Sequence, residues 1–139
     1  MSDAAADDKV WLFEDFEEGA AVGSVEVTVS QDNLNLWRSI YGMPGEDSAP
    51  EHLPQSLLTA AMMEAYLRVI PRRPPGNVHA AQKLVFSGTR VPPGAHLVFD
   101  FSCISKELKR ERRWVTLAMR CSDGRQPVME GEISTVWAK

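Results

Sequence analysis

The stretch from Leu53 to Ile70 constrains this chain more than any other. It reads Leu-Pro-Gln-Ser-Leu-Leu-Thr-Ala-Ala-Met-Met-Glu-Ala-Tyr-Leu-Arg-Val-Ile. Leu, Ala and Met lose little side-chain freedom in a helix, and the β-branched residues are kept to Thr59 near the start and Val69 and Ile70 at the end. Pro54 suits the first turn, where its missing N–H is not needed. Pro71, Pro74 and Pro75 stop the helix. Leu57, Leu58, Ala61, Met62, Tyr66 and Val69 cover one face, and Ala60, Met63 and Leu67 much of the other. A helix that is apolar on most sides is buried on most sides. At about 17 residues it is barely long enough for a bilayer, and Glu64 and Arg68 lie in its second half. The pattern predicts a soluble core helix that the remaining chain must wrap.

What wraps it is mostly strand. Residues 1–10 read as a disordered tail, and 11–139 as one domain. Trp11, Leu12, Phe13 and Phe16 form an apolar arm ended by Gly19. Val25, Val27 and Val29 alternate with Ser24, Glu26 and Thr28, as in a half-buried strand. Ser30 is a good helix cap, Leu34, Trp37, Ile40 and Tyr41 recur at helical spacing, and Gly42 closes the helix. Residues 43–52 form a loop, because Pro44, Gly45 and Pro50 exclude regular structure. Beyond the core helix come four strand runs: Val78–Ser87, Leu97–Cys103, Val115–Cys121 and Met129–Trp137. Gly88–Gly94 turns the chain between the first two, and the charged run Lys106–Arg113 separates the second from the third. Ser122-Asp123-Gly124-Arg125 is a strong hairpin signal before the last. The inventory predicts one strand, two helices and a four-strand antiparallel meander. That is an α+β fold, in which a sheet of about five strands buries one face on the apolar helix.

Composition excludes several classes. A length of 139 residues is one domain's worth. The formal charge of -4 argues against a generic nucleic-acid binder. Cys103 and Cys121 lie in apolar strands and read as small core residues in a reducing compartment. The N-terminus lacks the apolar core of a signal peptide, so a cytoplasmic protein without a membrane segment is expected.

Four segments, in order and spacing, resemble the MaoC-like dehydratase and hydratase family of the hotdog superfamily. They are Leu12-Phe-Glu-Asp-Phe-Glu-Glu-Gly19, Val27-Thr-Val-Ser-Gln-Asp-Asn-Leu34, Trp37-Arg-Ser-Ile-Tyr-Gly42 and Arg90-Val-Pro-Pro-Gly-Ala-His-Leu97. The resemblance covers nearly all of residues 12–137. It implies a hotdog, with the sheet curled around the core helix. It also implies hydration or dehydration of a fatty acyl thioester carried by coenzyme A or acyl carrier protein, with no cofactor.

The family's signature, G-D-x-N-P-x-H, supplies an Asp and a His five positions apart. Here Asp47-Ser-Ala-Pro-Glu-His52 keeps the Asp, Pro and His in register, while Glu46 and Ala49 replace the Gly and Asn. The family also places a dozen or so residues between this His and the helix, whereas here Leu53 follows at once. A carboxylate and an imidazole flanking an enoyl group can activate water and move the α proton. The same residues also read as a surface loop in which Asp47 caps a turn. In the family, a Gly before an apolar pair donates its N–H to the thioester carbonyl. Aligning that pair on Leu57-Leu58 places Ser56 at the Gly, so Gln55, Ser56 and Leu57 become the candidate substrate-binding residues, where free amides and the helix dipole act together. An ordinary helix start is the other reading.

His79 is a reserve candidate for the general base, though a strand histidine with a structural hydrogen bond is the leading reading for it. His96 reads as solvated. Three histidines without close spacing give no expectation of a metal. Arg72, Arg73 and the Lys109–Arg113 cations could meet phosphates or simply be solvated. The leading expectation is a homodimeric acyl-thioester hydratase or dehydratase. The alternatives are an acyl-CoA thioesterase, and a non-catalytic acyl-thioester binding protein or partner subunit.

Overall fold

A computed structural model describes residues 9–42 and 52–138. Strand β1 spans Ala21–Thr28, helix α1 Gln31–Tyr41 and helix α2 Gln55–Val69. They are followed by β2 Val78–Phe86, β3 His96–Lys109, β4 Arg112–Ser122 and β5 Pro127–Trp137. The amide of Asn33 donates to Ser30 Oγ at 3.1 Å, which caps α1 as its sequence requires. At the other end Gly42 adopts a positive φ of 69°. The expected core helix starts two residues later than its apolar run, with Pro54 as the cap residue itself.

All five strands form one antiparallel sheet in the order β1-β3-β4-β5-β2. This corrects the four-strand meander. Only β3, β4 and β5 follow one another, while β2 pairs with β5 at the far edge. Gly88–Gly94 is therefore no local turn but part of a crossing from the β2 edge of the sheet to β3, next to the opposite edge. Ser87 N–H still donates to Val128 on β5 (3.0 Å), whereas Gly94 N–H donates to Val29 just beyond β1 (2.8 Å). Val91, buried midway, accepts from Leu53 N–H at 2.7 Å and so ties the crossing to the approach to α2.

The charged run also reads differently in three dimensions. Lys106–Lys109 and Arg112–Arg113 are paired strand residues, and only Arg110 and Glu111 make the turn. Cross-strand pairing with period two tolerates charges wherever both faces are open to water.

The core follows the alternation read from sequence. Leu97, Phe99, Phe101 and Cys103 from β3, Val115, Leu117, Met119 and Cys121 from β4, and Met129, Ile133 and Trp137 from β5 are buried. They share a core with Leu57, Leu58, Ala61, Met62, Ala65 and Tyr66 of α2. Thr135, buried among them, donates its hydroxyl to Val115 O at 2.9 Å. The N-terminal arm packs as expected. Phe16 lies edge-on to Trp137 at 4.8 Å, and Trp137 Nε1 donates to Trp11 O at 2.8 Å.

Burial of α2 is less complete than its composition suggests. Leu67 is 46% exposed, while Ala60, Met63 and Val69 are half-buried. Every residue of β2 is likewise exposed or half-buried. The sheet leaves part of the helix uncovered, and β2 is an edge strand.

Candidate functional site

The start of α2 is where the expected chemistry converges. The carbonyl of Pro54 accepts from the amides of Leu57 and Leu58, both at 3.0 Å. Pro54 offers no side-chain cap, so the amides of Gln55 and Ser56 are left with no intrahelical acceptor. Both residues are exposed. Two amides at the positive end of a helix of 15 residues can stabilise charge on a carbonyl oxygen. Leu57 contributes differently: its amide is engaged and its side chain is buried, so it forms wall rather than donor.

His52 is half-buried and immediately precedes Leu53, which is anchored to Val91. It therefore sits three residues before the first turn of α2. Asp47 lies outside the described residues.

A residue that sequence reading missed shapes this end of the molecule. Trp37 of α1 donates its indole N–H to Ser56 Oγ at 3.2 Å, and its ring lies 4.6 Å from that of Tyr41, tilted by 46°. Its helical spacing marked it as apolar, but nothing local names Ser56 as its partner. Between the two helices runs a groove of about 340 Å³, lined by Val29, Trp37, Tyr41, Leu57, Ala61 and Glu64 among others.

His79 goes elsewhere. It lies near the start of β2, edge-on to Tyr66 at 6.3 Å, with Nε2 placed 3.1 Å from Gln82 Oε1. Tyr66 follows Ser56 by ten residues on α2, about 15 Å along the axis. Within one chain, His79 and the start of α2 do not meet. His96 is exposed beside Thr28 Oγ1 (3.0 Å) and Glu26 (3.5 Å). Arg73 donates to Ile70 O at 2.6 Å and lies over the Tyr66 ring, closing the C-terminal end of α2. Burial raises the Tyr66 hydroxyl pKa, partly opposed by the Arg73 charge. Cys103 and Cys121 are buried free thiols. Burial, with Asp123 and Asp100 nearby, pushes Cys121 up to about 12. Neither thiol is poised as a nucleophile. No helix among the described residues is long and apolar enough to cross a membrane.

No family model and no curated protein matches the chain. Solved structures do. The (R)-hydratase from A. caviae involved in PHA biosynthesis is 14% identical with a TM-score of 0.71, covering 90% of this chain and 99% of that one. The monoamine oxidase regulatory protein from Archaeoglobus fulgidus is 14% identical with a TM-score of 0.73, covering 94% and 95%. The fluoroacetyl-CoA thioesterase FlK is 16% identical with a TM-score of 0.62, covering 87% of each chain. One antiparallel sheet curled over one apolar helix, superposable on these proteins through nearly its whole length, is the hotdog fold, and this chain is a hotdog protein.

Proposed function

We propose that the chain is a MaoC-like enzyme that hydrates or dehydrates acyl thioesters of coenzyme A or acyl carrier protein. The observation that carries this reading is the start of α2: the amides of two exposed residues without an intrahelical acceptor, three residues beyond a half-buried histidine. In the proposed mechanism the amides of Gln55 and Ser56 hold the thioester carbonyl, and Leu57 forms the adjoining wall. Polarising that carbonyl acidifies the α carbon. Asp47 and His52 then divide the proton transfers, one activating water and the other serving the α carbon. The fold-level likeness to the (R)-hydratase supports this reading. The likeness to FlK supports a second, thioester hydrolysis, with water attacking the same polarised carbonyl.

The working unit in this proposal is a cytoplasmic homodimer joined through β2. A nine-residue edge strand whose residues are all exposed or half-buried is a ready pairing surface. Antiparallel pairing of two β2 strands lays the Val78 end of each against the Phe86 end of the other. That arrangement sets each His79 beside the Phe86 end of the other strand.

The test supplies saturated and α,β-unsaturated acyl-CoAs of several lengths while double-bond absorbance and free thiol are followed together. Hydration of the unsaturated substrates alone is the expected result. Asp47→Asn and His52→Ala should each abolish it with the fold intact, and the double variant should lose little more. Thiol release from saturated substrates would establish the thioesterase instead. Full activity in both single variants would remove Asp47 and His52 from the mechanism.

A further inference from the structure

The β3–β4 hairpin breaks two local rules within four residues. Its turn, Arg110-Glu111, holds both residues at positive φ, 54° and 63°. A two-residue turn of this hand favours Asn-Gly or Asp-Gly, because a Cβ crowds the backbone there. On either side of it, Lys109 and Arg112 stand directly opposite one another in the ladder. Like charges so placed repel. Among the described residues no ion pair reaches Lys109, Arg110 or Arg112; the described pairs join Arg68 to Glu64 and His96 to Glu26. Breaches of local rules without local compensation concentrate at functional sites.

The surface there is concave and carries an aromatic ring. On the outer face of the hairpin a hollow of about 510 Å³ is rimmed by Lys109, Arg110 and Arg112. Half-buried Trp114, paired with Glu107, lines its middle, and Ser105 with Thr116 its far end. Lys106 does not belong to it: its Nζ donates to Phe13 O at 3.0 Å and lies over the Phe13 ring, holding the N-terminal arm.

We propose that this hollow binds an adenosine phosphate. A phosphate between Lys109, Arg110 and Arg112 offsets their mutual repulsion and uses the side chain that the strained turn displays. The adenine ring stacks on Trp114, and its exocyclic amine donates to Glu107, which explains a carboxylate among the cations. The formal charge of -4 on the whole chain disfavours a long nucleic-acid strand and leaves a small polyanion as the ligand. Free nucleotides and the nucleotide end of coenzyme A share this chemistry. β3 runs 14 residues from His96 to Lys109, about 40 Å, and His96 pairs with Thr28 beside the first half of α2. The hollow is therefore remote from Gln55 and Ser56 in the same chain, and the proposal stands whether or not the thioester reading does.

The experiment titrates the full chain with ATP, adenosine 3′,5′-bisphosphate, coenzyme A, pantetheine and inorganic phosphate, followed by calorimetry at low and moderate salt. Saturable binding of the adenosine phosphates is expected, weakening as salt rises, with no binding of pantetheine. Tighter binding of coenzyme A and the bisphosphate than of ATP assigns the hollow to coenzyme A; the reverse assigns it to free nucleotides. Arg112→Gln should weaken binding about tenfold, the size of one lost charged hydrogen bond. Trp114→Leu should weaken it comparably without changing the salt dependence. Replacing the turn by Arg110→Asn with Glu111→Gly should raise thermal stability yet weaken binding, which keeps the test open if another variant fails to fold. The proposal is overturned if no adenosine phosphate binds at millimolar concentration. It is equally overturned if inorganic phosphate binds as tightly as the nucleotides, or if the folded Arg112 and turn variants bind like the parent.

Discussion

Trp37 on α1 and Ser56 at the start of α2 are joined by a hydrogen bond of 3.2 Å, across 19 positions of sequence. The bond fixes α1 against the start of α2, where the amides of Gln55 and Ser56 have no intrahelical acceptor. It also sets the width of the groove between the two helices, since Trp37 and Leu57 both line it.

Trp37→Phe keeps an aromatic ring and removes the donor. The bond is partly exposed, so the expected loss is about 0.5–1.5 kcal/mol. A urea titration should show a lower midpoint with an unchanged slope. An unshifted midpoint would mean that the bond does not anchor α1.

Met62 has no exposed surface, whereas Leu67, one and a half turns further along the same helix, is 46% exposed. Met62→Ala should cost about 2–5 kcal/mol because it opens a cavity under the sheet. Leu67→Ala should cost little in a monomer but weaken a dimer that covers this side of the helix. Unfolding midpoints measured over a range of protein concentrations separate the two effects.

Gly131 on β5 is glycine because β2 leaves no room for a Cβ. A Cβ there would collide with the Lys83 carbonyl oxygen and come within 2.7 Å of Leu84 Cδ2. Gly131→Ala should therefore lift β2 from the sheet, at about 1–3 kcal/mol. Hydrogen exchange should accelerate selectively in Val78–Phe86. Adding Leu84→Ala should not restore protection, since the main obstacle is backbone.

Alkaline pH should destabilise the fold through buried groups that stay protonated in it. Burial first, then nearby carboxylates, raise Cys121 to about 12 and also lift Cys103 above the ordinary thiol value of 9.0. Burial raises Tyr66 as well. Each folded pKa exceeds its unfolded value, so the unfolded chain releases protons first as pH rises. Stability should be constant with respect to these groups below about pH 9 and fall progressively towards pH 12. Denaturation midpoints across pH 7.5–11, compared with those of a Cys103→Ala, Cys121→Ala double variant, measure the thiol share. Identical slopes in both proteins would assign the effect elsewhere.

Short-range patterns determined much of this protein from the sequence alone. Apolar residues at helical spacing, ended by prolines, defined α2. Alternation at period two identified the inner faces of β3, β4 and β5, from Leu97 through Trp137. Ser30 and Gly42 bounded α1, and Asp123-Gly124 marked the last hairpin, where Asp123 accepts from the amides of Arg125 and Gln126. Each of these signals lies within a few residues, because caps, turns and side-chain alternation are local physics.

Tertiary structure alone decided what depends on distant partners. The residues of β2 form a strand equally well beside β3 or β5, and only closure of the sheet over α2 sends β2 to the far edge. The opposed charges Lys109 and Arg112 appeared in the sequence as part of a charged run between two strands, because register, not composition, makes them a ladder pair. Trp37 found Ser56, and His79 was placed beside Tyr66 rather than at the start of α2, through the packing of helices on the sheet. Local sequence sets which face of each element is apolar, but the choice among partners for those faces is a global minimum over the whole core.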